Sequence, residues 1–166
     1  MTNYFKSLGI VTIVLLLASP VQAEKVPVTK TNYHVTYMVK ALFDDVREQT
    51  IQTINSKGIK INNISYIGAM LNRTGQELGF TKQIYTKGQA FEFCSSTLSR
   101  FTMEADPHNI IYCPYIVMVY ELADEEGTVY ISYRRPDIVG SERSKETLQD
   151  VEMLLDEIVQ GVLSWF

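Results

Sequence analysis

Several residue types that mark particular protein classes are scarce in this chain. Its 166 residues include two cysteines, one tryptophan and five prolines. Two cysteines are too few for a small disulfide-rich scaffold, and a hydrophobic content of 46% argues against an intrinsically disordered chain. Lysine and arginine (15 residues) are outnumbered by aspartate and glutamate (19), which gives a formal net charge of −4. Without a basic excess to neutralise phosphates, a nucleic-acid partner is not expected.

The common catalytic motifs are also missing. The chain has no glycine-rich phosphate loop, no HExxH helix and no Ser/His/Asp order typical of hydrolases. Its carboxylates are spread along predicted helix surfaces instead of being paired in a cleft. The sequence therefore indicates no catalytic residue and no particular cofactor, and it favours a protein that is not an enzyme.

The first 23 residues have the features of a secretory signal peptide. Lys6 precedes an apolar run from Leu8 to Ala18, and the small side chains of Val21 and Ala23 suit a signal peptidase. The apolar run is about half of the ~20 residues needed to cross a bilayer, so we expect cleavage and no stable membrane anchor afterwards. The predicted location is periplasmic or secreted.

Beyond the signal peptide, the chain alternates strand-like and helix-like segments. A polar leader (residues 24–32) precedes a single predicted domain (residues 33–166). The hydrophobic periodicity of this domain predicts the order β-α-β-α-β-α-β-β-α. Its clearest feature is a hairpin, in which an acidic turn joins two apolar strands, Tyr112–Leu122 and Thr128–Arg135. We therefore predict an α+β fold, with an antiparallel meander and helices packed on one face.

Several short segments occur in the order found in a known family. They are Phe43–Val46 (FDDV), Gly58-Ile59, Phe91–Ser99 (FEFCSSTLS), Asp106-Pro107, Tyr112–Tyr115 (YCPY), Val119–Glu121 and Val129–Tyr133. Over about Val35–Pro136 the chain resembles domain-of-unknown-function family 302 (DUF302). The resemblance implies a β-α-β(4)-α arrangement, similar to the TATA-binding protein fold, and a homodimer. It implies no established reaction and no catalytic residues.

The register of the hairpin predicts which residues the sheet exposes. If the turn is centred between Glu125 and Glu126, the helices cover one apolar face and the opposite face meets solvent. That opposite face then carries the candidate ligand or interface residues, Tyr115, Val117, Val119, Tyr130 and Arg134. Aromatic residues and arginine are enriched in interfaces, which favours a dimer interface or a small-ligand site. Arg134 could also bind an anion through paired hydrogen bonds. In the alternative without a function, a loop or the leader covers this face.

The two cysteines flank one predicted helix of the meander. Cys94 follows a strand that ends at Phe93, and Cys113 lies at the start of the next antiparallel strand, so both belong to the same end of the sheet. Three interpretations remain open, namely a disulfide, two separate buried thiols, or a functional thiol or metal site. In the last case, Cys94, Cys113 and His108, with Met103 nearby, would bind a soft metal such as copper or zinc.

Two functions are compatible with these patterns. The favoured one is a periplasmic binding or accessory module without established catalysis, which uses an open sheet face for dimerisation or for a small-molecule, anionic or metal ligand. The alternative is a thiol-redox or metal-handling protein that uses Cys94 and Cys113.

Overall fold

The computed structural model describes residues 28–166, which form one six-stranded sheet and four α-helices. The predicted signal peptide and the first part of the leader lie outside the described residues. A 3-10 helix (Pro107–Tyr112) precedes the fifth strand. The other elements, in chain order, are β1 (Val28–Lys30), β2 (His34–Lys40), α1 (Phe43–Ser56), β3 (Ile61–Ser65), α2 (Ile67–Glu77), β4 (Tyr85–Phe93), α3 (Ser96–Ala105), β5 (Tyr115–Leu122), β6 (Thr128–Arg134) and α4 (Glu142–Leu163).

The strands are arranged in the order β1-β2-β6-β5-β4-β3, and every neighbouring pair is antiparallel. Without β1, α2 and α3 the element order is β-α-β-β-β-β-α, the arrangement that the family resemblance implies. The predicted α+β meander with helices on one face is confirmed. β1 belongs to the predicted polar leader and extends the sheet by pairing with β2, Val28 opposite Tyr37.

Local sequence explains why α1 begins and ends where it does. Asp44 and Asp45 occupy its first turn, where carboxylates interact favourably with the helix dipole. Val46 and Ile54, two turns apart, are fully buried against the sheet. Gly58 adopts a φ of 71°, a left-handed conformation that ends the helix and that glycine adopts at little cost.

Helices α1 and α4 cover the same face of the sheet and enclose the core. α4 is the longest helix, and two contacts fix it to the strands. The carboxylate of Asp156 accepts hydrogen bonds from the phenols of Tyr37 (2.6 Å) and Tyr133 (3.0 Å). Arg135 donates two hydrogen bonds to Glu152, at 2.7 and 3.2 Å. Asp156 and Glu152 lie near the edge of the core, and these contacts give their carboxylates hydrogen-bond partners.

The register of the β5–β6 hairpin differs by one residue from the predicted register. Val119 pairs with Ile131, and Val117 pairs with Tyr133. The loop holds five residues, 123–127, between the two strands. Its last residue, Gly127, adopts a φ of 75°, and the Gly127 N–H donates to the Glu121 carboxylate at 2.7 Å. The turn is therefore centred on Glu125, and not between Glu125 and Glu126 as predicted. This one-residue shift turns every β5 side chain to the other face of the sheet.

This shift corrects the placement of three predicted interface residues. Tyr115, Val117 and Val119 point into the core, with 3%, 0% and 0% of their surface exposed. They pack under α1 and α4 and are inaccessible to a ligand or a partner. The other two candidates, Tyr130 and Arg134, lie on the face that α1 and α4 leave uncovered, because the predicted orientation of β6 is correct.

Helix α2 is attached to the sheet differently from α1 and α4. It follows the edge strand β3 directly, and Gly68 is its single buried residue. Gly68 lies against Gly88 of β4, and a Cβ atom placed on Gly68 would come within 2.7 Å of the Gly88 backbone nitrogen. The first turn of α2 thus rests on β4 where two glycines allow the backbones to approach. Among residues 28–166, no helix is both long and apolar enough to cross a membrane.

Candidate functional site

The face of the sheet opposite α1 and α4 carries a mixed set of polar, aromatic and apolar side chains, and we call it the open face. Strand alternation places its members in rows across β2, β6 and β5. Its residues are His34, Thr36 and Met38, then Tyr130, Ser132 and Arg134, then Ile116, Met118 and Tyr120.

A cleft of about 340 Å³ lies between the open face and the first turn of α2. We call it the open-face cleft. Thr36, Ser132 and Met118 lie side by side across three strands and line it from the sheet. Ile67 and Gly68 of α2 line it from the other side. The cleft therefore exists because α2 approaches β4 closely but leaves the strands beyond β4 uncovered.

Two basic side chains line the cleft at one end. Arg134 pairs directly with His34 on the neighbouring strand, and both line the cleft. His34 Nδ1 lies 3.2 Å from the Thr31 hydroxyl. The other ring nitrogen of His34 has no hydrogen-bond partner among the described residues. Arg134 is exposed and makes no ion pair or side-chain hydrogen bond within residues 28–166, in contrast to Arg135, which is held by Glu152.

Hydroxyl groups occupy the middle of the cleft. Thr36 Oγ1 and Ser132 Oγ are cross-strand neighbours 2.5 Å apart, and they share one hydrogen bond. Each oxygen keeps further capacity to donate or accept, because a hydroxyl has one hydrogen and two lone pairs. The pair can therefore bind a polar ligand atom beside the Arg134 guanidinium.

Tyr85 and Tyr120 form an aromatic wall of the cleft, and Tyr130 supports Tyr120 without lining the cleft itself. Tyr120 stacks on Tyr130 with a centroid separation of 5.1 Å, and Tyr85 meets Tyr120 edge-on at 5.9 Å. The Tyr130 hydroxyl donates to the Glu125 carboxylate, and this hydrogen bond raises the pKa of Tyr130 to about 12. The rings are thus fixed by their neighbours, and Tyr130 stays uncharged at physiological pH. They offer an apolar surface at low entropic cost.

The cysteines form a separate feature at the end of the sheet. Cys94 and Cys113 are joined in a disulfide, which selects one of the three interpretations that the sequence left open. Both sulfurs are used in this bond, so neither is available as a metal ligand. His108 is exposed in the turn that follows α3, where its backbone N–H donates to Asp106. Residues 28–166 contain no cluster of three or more His, Cys, Asp or Glu side chains suited to a metal ion.

Several residues of the cleft were not identified from the sequence. Thr36, Ser132 and Met118 come together only through the pairing of β2, β6 and β5, and nothing local marks them as neighbours. The contribution of α2 has one sequence signal, the isolated glycines Gly68 and Gly88. A glycine inside a helix or a strand often marks a close backbone approach, which is what these two residues provide.

Comparisons with known proteins agree with this architecture. The crystal structure of the uncharacterized conserved protein DUF302 from Bacillus stearothermophilus superposes with a TM-score of 0.64 at 18% identity, covering 78% of this chain and 97% of that chain. No curated protein matches the sequence. The family profile described as "Domain of unknown function DUF302" matches residues 35–162, more than half of the chain. This protein therefore belongs to the DUF302 family.

Proposed function

We propose that this protein is a binding module whose open-face cleft holds a small organic anion with an apolar body. The single observation that carries the proposal is the exposed Arg134 guanidinium, which lines the cleft and has no partner within residues 28–166. A guanidinium in this position binds a carboxylate, sulfonate or phosphate oxygen pair through two parallel hydrogen bonds.

The charge around the cleft supports an anionic ligand. The Arg134 guanidinium lies beside the His34 imidazole, and none of the lining residues is a carboxylate. Two carboxylates near the open face already accept hydrogen bonds, Glu92 from Ser65 (2.7 Å) and Asn63 (3.2 Å), and Glu125 from Tyr130. An anion in the cleft would therefore meet the Arg134 guanidinium and no carboxylate among the lining residues.

The size and surface of the cleft support a small ligand with an apolar part. A volume of about 340 Å³ lies at the lower end of the range of about 300–1,000 Å³ usual for small-molecule sites. Met118, Ile67 and Tyr120 supply apolar contact on both sides, while the hydroxyls of Thr36 and Ser132 orient a polar group. Such a combination suits an aromatic or short aliphatic acid.

A titration with matched charged and neutral probes tests the proposal. We expect benzoate and benzenesulfonate to bind, and benzyl alcohol and benzylamine to bind at least about ten-fold more weakly, because a charge-assisted hydrogen bond contributes roughly 1.5–3 kcal/mol. Arg134→Gln should weaken benzoate binding by a similar factor in isothermal titration calorimetry. Arg143→Gln, an exposed arginine of α4, is the matched control and should leave binding unchanged. Equal affinity for benzyl alcohol, or no effect of Arg134→Gln, would refute the proposal.

Self-association through the open face is the competing use of the same surface. A face-to-face dimer would bury Arg134 and Tyr130 and exclude a ligand from the cleft. Analytical ultracentrifugation distinguishes the two uses. A monomer, or a dimer that persists in Tyr130→Glu, leaves the cleft accessible, whereas a dimer that Tyr130→Glu dissociates contradicts ligand binding at this face.

We also propose that the protein works in the periplasm or outside the cell. The signal-like sequence of residues 1–23 supports this, and so does the Cys94–Cys113 disulfide, since disulfides persist mainly in oxidising compartments. Amino-terminal sequencing of protein from the periplasmic fraction should show Glu24 as its first residue. Recovery of the uncleaved chain from the cytoplasm would contradict this location.

A further inference from the structure

A second cavity, larger than the open-face cleft, lies elsewhere in the described chain. It has a volume of about 690 Å³ and lies between the second half of α2 and the segment 80–84, and we call it the α2 chamber. The chain folds back here because Gly79 adopts a φ of 78° and the Phe80 N–H donates to the Gly75 carbonyl at 2.8 Å. The chamber and the open-face cleft share no lining residue.

Large apolar side chains line the chamber without being buried by the protein. Leu71, Leu78, Phe80 and Ile84 are 39%, 68%, 68% and 52% exposed. Soluble proteins seldom expose apolar side chains as one contiguous patch unless it contacts a ligand or a partner. Leu71 of α2 and Leu78, which directly follows the helix, line this chamber, whereas Gly68 is the one residue that the helix buries.

A glycine creates part of the space in the chamber. Gly75 lies in α2 one turn from both Leu71 and Leu78, on the same side of the helix. Nothing packs closely against it, since a Cβ atom there would meet only the Cβ of Phe80, at 3.9 Å. Glycine within a helix costs about 1 kcal/mol relative to alanine, and no close backbone contact requires it at this position. Its missing side chain instead leaves the chamber open.

The lining of the chamber contains one cationic side chain and no carboxylate. Lys82 is exposed and has no ion-pair partner within residues 28–166, and no lining residue is a carboxylate. The neighbouring arginine of α2 already has an ion-pair partner, since Arg73 Nε lies 3.9 Å from Glu77 Oε1. The chamber thus combines a long apolar surface with one available cation at its rim.

We propose that the α2 chamber binds a free fatty acid, with its acyl chain against Leu71, Leu78 and Phe80 and its carboxylate beside Lys82. An acyl chain matches the continuous apolar lining, and a single carboxylate matches the single lysine. The volume of about 690 Å³ lies within the range usual for small-molecule sites.

Calorimetric titration with dodecanoate tests this inference on the purified protein. We expect dodecanoate to bind more tightly than decanoate or octanoate, by up to about four-fold for each added methylene group. Dodecan-1-ol should bind up to about five-fold more weakly than dodecanoate, and Lys82→Gln should remove this difference, because an exposed ion pair contributes at most about 1 kcal/mol. Affinity that does not depend on chain length, or that is equal for dodecyltrimethylammonium, would overturn the proposal.

Two leucine substitutions on the same helix locate the ligand. Gly75→Leu fills the chamber and should weaken dodecanoate binding roughly ten-fold or more. Ala69→Leu adds the same side chain at an exposed position of α2 outside the chamber, and it should leave binding unchanged. Gly75→Ala, which helps the helix and fills less space, should give a smaller loss and serves if the leucine variant does not fold.

Two further measurements separate this site from the alternatives. Arg134→Gln should leave dodecanoate binding intact, so a loss in that variant would place the ligand in the open-face cleft and overturn the chamber assignment. Flotation with phosphatidylglycerol vesicles tests a membrane surface as the partner. Vesicle binding that persists in Gly75→Leu and is not displaced by dodecanoate would overturn the proposal in favour of a lipid bilayer.

Discussion

Substituting alanine at two glycines of α2 should have opposite effects on stability. Gly68 and Gly75 lie seven residues apart in the same helix, and neither has a positive φ. A glycine-to-alanine change within a helix stabilises it by about 1 kcal/mol where the new methyl group has room. The structure gives room at Gly75 and none at Gly68, so the sign of the change should differ between them.

The magnitudes follow from the atoms that a Cβ would meet. At Gly68 it would lie 2.7 Å from the Gly88 nitrogen and 3.1 Å from the Lys87 carbonyl carbon. Both are backbone atoms of β4, which is paired with β5 and cannot move freely, and overpacking of this kind costs about 1–3 kcal/mol. Gly68→Ala should therefore lose up to about 2 kcal/mol net. Gly75→Ala should gain up to about 1 kcal/mol, because its nearest neighbour is 3.9 Å away.

Urea denaturation of the two variants measures these changes directly. We expect the midpoint to fall for Gly68→Ala and to rise for Gly75→Ala, with an unchanged slope in both. Gly68→Ala should also weaken benzoate binding, since Gly68 lines the open-face cleft and the displaced helix would change its shape. If Gly68→Ala is as stable as the wild type, the first turn of α2 does not contact β4, and the cleft as described does not exist.

Three further changes test the core, the disulfide and the docking of α4. Val119→Asp puts a carboxylate at a fully buried position and should cost at least about 3 kcal/mol in urea denaturation. Met118→Asp on the open face should cost less than half as much, and equal losses would contradict the observed register. Reducing the Cys94–Cys113 disulfide, whose residues are 19 positions apart, should lower the free energy of unfolding by about 3 kcal/mol. An unchanged urea midpoint in dithiothreitol would mean that this bond does not stabilise the fold. Burial, and then a hydrogen bond to a carboxylate of α4, raise the pKa of Tyr37 from 10.0 to about 12. The unfolded chain therefore loses this proton first, so the stabilising contribution is complete below about pH 10 and disappears between about pH 10 and 12. Tyr37→Phe should reduce the loss of stability across that interval, as measured by urea denaturation at several pH values, and an identical loss would show that Tyr37 is not responsible.

The family and the order of elements could be read from the sequence, because short-range patterns specify them. Apolar periodicity predicted the order of the α-helices and the final hairpin, and in the structure Gly58 and Gly79 follow the ends of α1 and α2. Both adopt the positive φ that glycine favours, a property of the local backbone that needs no tertiary information. The proximity of Cys94 and Cys113 also followed from the meander, although whether they were bonded did not.

The candidate sites depended on tertiary structure. The β5 register is set by a turn in which Gly127 donates to Glu121 and Thr128 donates to the Glu125 carbonyl. This register places Val117 and Val119 in the core and not on the predicted surface. Composition could not reveal this, since both β5 faces are apolar enough to be buried. The adjacent arginines Arg134 and Arg135 likewise look alike in sequence. Only the position of α4 gives one of them a carboxylate partner and leaves the other at the cleft.

Patterns along the chain therefore specify local features, namely the helix and strand segments and the family to which they belong. The packing of these segments selects which side of each strand faces solvent and which distant residues meet. The physical reason is the two-residue period of a strand. One residue of register exchanges its two faces, and that register is selected by turn geometry and by packing against helices far away in the chain.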